Sequence, residues 1–200
     1  MAKKKGEDLQ IDRALLNVIA PMDIEVKRNE LNIGDNCGRI FGITKYPQNV
    51  QYGWLGRVAN ISNVIGCISF RPIDSTAFVD ALSANTMRNQ MLEETAKSPL
   101  EQSRAKKAAE DSEKTMVQID QYGETVGILS VALMPVGSEH NIESIIKRTT
   151  SSCAYMKLHL RSLANLQLEG FKQISPFYRI NADVENVIGR IAPLSTIMGG

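Results

Sequence analysis

Residues 123–137 read GETVGILSVALMPVG. From Val126 to Met134 nearly every residue is apolar or small, and Val126, Ile128 and Val131 are β-branched. β-Branched side chains suit a pleated backbone, and a run apolar on both sides suits a strand covered on both faces. The stretch predicts a central strand, with Pro135 and Gly137 ending it.

Immediately upstream, residues 74–122 change character. Asp74 or Ser75 can cap a helix carrying Phe78, Val79, Leu82, Met87 and Met91, which stops near Lys97. A second helix restarts at "SPLE". Ser98 takes the cap, Pro99 the first helical position, and Glu101 lies three residues past the cap. A serine oxygen there accepts from a free amide, and proline gives up a donor that had no partner anyway. Between Glu93 and Glu113 both charge signs and alanine crowd the chain. This predicts two antiparallel helices, exposed along much of their length, projecting from a core over about 75–122.

Before the hairpin, "IGCISFRPID" (65–74) has apolar or small residues on both faces and reads as an interior strand that Pro72 stops. "NVQYGWLGRVANISNV" (49–64) spaces Trp54, Leu55, Val58 and Ile61 as a short helix. "IEVKRNELNIG" and "NCGRIFGITKYP" read as two strands joined near Gly34-Asp35. Residues 1–20 are an arm, helical or extended.

After the central strand, Ser138 or Asn141 caps a helix striped by Ile142, Ile145, Ile146 and Thr149. "MKLHLRS" (156–162) alternates as a strand with one wet face, and "LANLQLEGFKQISP" gives a last helix carrying Leu163, Leu166 and Phe171. Residues 176–200 hold little periodicity; Leu194, Ile197 and Met198 are too apolar for a solvated tail, so this end either tucks back into the fold or serves as a connector. The order strand, helix, strand, hairpin, strand, helix, strand predicts an α+β fold. It matches the ferredoxin-like split β-α-β arrangement, an antiparallel sheet with helices on one face, an inserted helical hairpin and an extra N-terminal β-hairpin. The α+β domain spans 21–175.

Two hundred residues, 43% hydrophobic and 22% charged, fit one globular domain with a core. A net charge of +1 gives no whole-chain electrostatic reason to expect nucleic acid or an acidic membrane. Lys3, Lys4 and Lys5 form the only dense basic patch and read as a solvated terminus. No apolar run reaches the ~20 residues of a membrane-spanning helix, and the opening has no secretory pattern. Cys37, Cys67 and Cys153 are far apart and read as reduced, buried thiols of a cytosolic protein.

The usual signatures of chemistry are missing. There is no G-x-x-x-x-G-K-[ST] loop, no dinucleotide fingerprint, no CxxC or HExxH, and no G-x-S-x-G turn. Gly34, Gly38 and Gly42 read as turn and strand glycines; His140 and His159 read as surface histidines. The acidic pairs of the hairpin point about 100° apart on a helix and cannot share a proton. No catalytic, cofactor-binding or metal-binding residue is assigned. What remains is surface. The hairpin costs chain entropy and buries little, which points to a contact role. Met87, Met91, Arg104 and Met116 are its candidate contacts, with methionine adaptable in shape. Tyr52 and Trp54, near Lys45, Tyr46 and Arg57, are the candidate aromatic patch of a single-stranded nucleic-acid module, with Trp54 read first as a core anchor. A small enzyme whose site assembles from distant residues is a third possibility.

Four stretches in order, "VQYGWLGRVANI", "ISFRPID", the helical hairpin and "APLSTIMGG", resemble the N-terminal region of TraC/TrbE-type (VirB-type) conjugation ATPases. These are motors of type IV secretion systems, and the resemblance is to forms on Gram-positive mobile elements. It runs from about Pro21 to Gly200. It implies a non-catalytic docking and assembly domain, attaching the motor to inner-membrane channel subunits and to other copies of the ATPase. It further implies a cytoplasmic protein peripheral to the inner face of the membrane, with no small-molecule substrate. ATP and Mg would belong to a RecA-like domain whose phosphate loop lies past Gly200, and 176–200 would approach it.

Overall fold

The computed structural model describes residues 24–47, 52–176 and 180–198. The N-terminal arm and its lysines lie outside the described residues. The rest is α+β, built on one antiparallel sheet.

The strand read from 126–134 is its axis. It is β6, Val126–Gly137, and it runs through Pro135 rather than stopping there. Its Leu129, Val131 and Leu133 point into one core with Ile43, Trp54, Leu55, Val58, Cys153 and Leu158. Its Ala132 and Met134 point into a second core with Leu31, Ile40, Leu163, Val184 and Ile188. Alternate side chains of one strand thus fill two cores, which is why the sequence shows no alternation there.

Around β6 the chain lays down β1 (Ile24–Val26), β2 (Leu31–Ile33) and β3 (Asn36–Gly38) as a meander, then β4 (Phe41–Lys45). Helix α1 (Trp54–Ala59) leads to β5 (Val64–Pro72). Helices α2 (Ser75–Thr95) and α3 (Pro99–Tyr122) form the hairpin and deliver the chain to β6. Then follow α4 (Ile142–Tyr155), β7 (His159–Ser162), α5 (Gln167–Ile174), α6 (Ala182–Ile188), β8 (Arg190–Pro193) and the single turn α7 (Ser195–Met198). β5 pairs antiparallel along one edge of β6, from Val64↔Pro135 to Pro72↔Gly127. The other edge is shared end to end by β3, β4 and β8. β7 pairs antiparallel with β4, so the units β4–α1–β5 and β6–α4–β7 interleave in the order β7-β4-β6-β5.

Pro135 stays inside the central strand with its carbonyl accepting from Arg39 N at 3.3 Å, where β3 passes into β4, so its absent N–H leaves the ladder short by one bond. The buried side chain of Gln167 bridges the other side of β4, toward Leu163. Ile40 N donates to Gln167 Oε1 at 2.8 Å, and Gln167 Nε2 donates to the carbonyls of Ile40 at 3.2 Å and Leu163 at 2.9 Å. Backbone groups that lose a ladder partner are thereby satisfied.

Three expectations need correction. The segment 176–200 is not a connector over its described part. Val184 and Ile188 of α6 are fully buried, and β8 pairs with β6 from Val126↔Pro193 to Leu129↔Arg190. A Cβ on Gly42 would lie 2.0 Å from Ile188 Cγ2, so α6 sits directly on β4. A seven-residue helix and a four-residue strand are too short to show periodicity. Helices also cover both faces, since α1 and α4 border the first core while α5 and α6 border the second. Finally, β5 is not an interior strand; among the described residues it pairs with β6 alone.

Candidate functional site

The hairpin forms as its end signals require. Asp74 Oδ1 accepts from Thr76 N at 3.0 Å, and Ser98 Oγ accepts from Leu100 N at 3.3 Å. The Thr76 amide holds the Asp74 carboxyl below the usual carboxylate range. Gly123 closes α3 in the left-handed region at φ 61°, where a side chain would strain. The two helices, 21 and 24 residues long, pack chiefly on each other. Their seam is narrow. Thr86 and Ala109 are buried in it, and Gln90 Nε2 donates to Glu113 Oε1 at 3.2 Å.

Ile119 is buried as well, but several larger apolar residues stay outside. Met87 is 61% exposed and Met91 67%. Met116 is half-buried, and Arg104 is exposed. Near the tip, Arg104 borders a cleft of about 520 Å³ with Leu92, Lys97, Glu101, Ala105 and Ala108. Leu92, Leu100 and Val117 add to the exposed apolar surface. In the sequence these three are large apolar residues outside the buried positions of the two helices, which is the signal that marks them.

The aromatic patch divides. Tyr52 is 81% exposed, but Trp54 is only 5% exposed and belongs to the first core. Its ring meets Tyr46 edge to face, with centroids 5.7 Å apart. Trp54 is therefore a packing anchor and offers no face for stacking a base. Burial also pushes the Tyr46 hydroxyl well above its usual range. Lys45 and Arg57 are exposed. Arg57 borders a second cleft, of about 610 Å³, together with Arg148, Ser62, Ser151, Tyr155 and Met156. Arg148, which no local motif had singled out, is brought there from α4 and donates to the Ser62 carbonyl at 2.7 Å. Among the described residues no carboxylate lines that cleft.

No protein-family model and no curated protein matches this chain. What the surfaces can do must be argued from their chemistry. Burial raises all three thiols above the usual cysteine value, Cys153 up to about 11, so each is protonated at neutral pH and a poor nucleophile. Among the described residues no group of three or more His, Cys, Asp or Glu could hold a metal ion. His140 and His159 are both exposed, as read from the sequence. Also among the described residues, no helix is long and apolar enough to cross a membrane.

Proposed function

We propose that this chain is a non-catalytic docking and assembly domain. On the resemblance set out above, it belongs to a type IV secretion, or conjugation, ATPase of a mobile element. The reading places it in the cytoplasm, peripheral to the inner face of the membrane, between channel subunits and other copies of the motor. ATP and Mg would be handled elsewhere in the motor.

The observation that carries this reading is the hairpin. Two helices of 21 and 24 residues bury only Thr86, Ala109 and Ile119 and leave Met87 and Met91 mostly in water. Such surface stabilises the isolated domain little, and exposed apolar contacts of this kind mark interaction sites. Photo-crosslinking from positions 87 and 91, in cells carrying the transfer machinery, is expected to give adducts with an inner-membrane channel subunit. A photoprobe at exposed Lys157 serves as the control. Equal yields from all three positions would refute the assignment. The purified chain is also expected to show no ATP turnover.

The runner-up is a single-stranded nucleic-acid module. Trp54 no longer supports it, but the acid-free cleft holding Arg57 and Arg148 does. It predicts binding to single strands that weakens steeply with salt. A titration that stays flat at low salt would eliminate it.

A further inference from the structure

The strand β5 presents an unusual edge. Its inner side follows β6 in unbroken register over all nine residues. Val136 N donates to Asn63 O at 2.9 Å, and Ile73 N donates to Val126 O at 3.0 Å. In an antiparallel ladder the bonded residues recur at every second position. Asn63, Ile65, Cys67, Ser69, Arg71 and Ile73 therefore turn their backbone groups toward β6. Val64, Gly66, Ile68 and Phe70 turn theirs outward, and no described strand receives them.

Edges are commonly guarded by a lysine, an inward charge, a bulge or a proline. From Val64 to Phe70 this one has no charge, no proline and no bulge. Ile65 is 51% exposed and Ile68 41%. The first charge is Arg71, whose guanidinium is engaged by both carboxylate oxygens of Glu185, at 3.1 and 2.8 Å. A groove of about 600 Å³ is lined by Gly66–Pro72 together with Ile174 and Ile180.

We infer that β5 pairs antiparallel with β5 of a second copy of this chain, about a two-fold axis at Ile68. Only an even-on-even register joins the outward groups of both copies. Centred on Ile68, it sets Gly66 against Phe70 and places Pro72, which has no N–H, at the very end of the ladder. Arg71 then faces Ile65 of the other copy, so no like charges are opposed. A net charge of +1 adds little repulsion between copies. A charged peptide would find no complementary group along Val64–Phe70 to select it, whereas this neutral strand complements itself. The contact rests on the assembly reading for its use, but its evidence is independent of the hairpin.

The register makes a sharp test. Cys67 of one copy would lie directly opposite Ser69 of the other in a non-bonded pair, with Cα atoms about 4.5 Å apart. That separation suits a disulfide. Mild oxidation of Ser69→Cys is expected to give a reducible dimer, and the double variant Cys67→Ser/Ser69→Cys is expected to give none in this register. In sedimentation, the native chain is expected to dimerise with concentration. Ile68→Lys should weaken that at least about tenfold, because two ammonium groups would meet at the axis. Ile68 is partly exposed, so the variant should keep the native circular dichroism. A chain that stays monomeric, with no cross-link from Ser69→Cys, overturns the inference. So does a dimer that Ile68→Lys leaves intact, or a monomer whose Gly66 and Ile68 amides are protected by the chain's own backbone. Loss of the hairpin's crosslinks alone would overturn the docking reading and leave this one standing.

Discussion

The central strand and the helical hairpin are neighbours in sequence and opposites in physics. In β6, twelve residues serve two cores at once, and alternate side chains are buried on alternate faces. In the hairpin, many more residues bury only Thr86, Ala109 and Ile119, while Met87, Met91, Leu92, Leu100 and Val117 are exposed. A buried methyl on the sheet is surrounded by partners, while a methionine on the hairpin already has water. The first region is where stability is made, and the second is where surface is left over for contact.

Substitutions should expose that difference, and the largest loss should come from the core. Ile188→Ala removes a fully buried side chain from beneath β4 and should cost about 3 kcal/mol in urea unfolding. Met91→Ala on the hairpin should change the same midpoint by less than about 0.5 kcal/mol. A comparable loss at Met91 would mean that it packs in solution. Next comes Gln167→Leu, which keeps the volume but leaves the Ile40 amide and carbonyl without their side-chain partner. It should cost about 2 kcal/mol, and amide exchange at Ile40 should accelerate. A neutral result would show that water or a shifted backbone closes the gap.

Smaller effects belong to the hairpin ends. Ser98→Ala removes a cap and should cost about 1 kcal/mol of local helix stability, read as faster exchange at the start of α3. Asp74 provides a pH signature. Its carboxyl is depressed by the Thr76 amide, so the capping contribution is complete above the ordinary carboxylate value. It is lost as pH falls through the lower folded value. Helicity at the start of α2 should therefore drop on acidification, and the Asp74→Asn variant should flatten that dependence.

The sequence was legible wherever one signal dominated a window. The apolar run of β6, the Ser98-Pro99 restart and the stripe on α4 each specify an element through local chemistry. The misses have a shared cause. Pro135 reads locally as a stop, yet β5 along one edge and Arg39 N on the other hold the strand through it. The short elements α6 and β8 carry no period, and their place is set by contacts with Gly42 and β6. Trp54 divides the candidate site. Its spacing with Leu55 and Val58 marks the side of α1 that meets the core, and the helix turns the indole inward while leaving Tyr52 and Arg57 outside. Arg148 reaches the cleft only through tertiary folding.

The most direct test exploits the base of the hairpin, where Ile73 N already donates to Val126 O at 3.0 Å. Replacing residues 74–125 by Asn-Gly would join β5 and β6 through a two-residue turn of the favoured kind. The measurement is membrane-fraction association of the parent motor carrying this replacement, alongside urea unfolding of the shortened domain. The account predicts a domain that still unfolds cooperatively and a motor that leaves the membrane fraction. A folded domain whose motor stays at the membrane would contradict it.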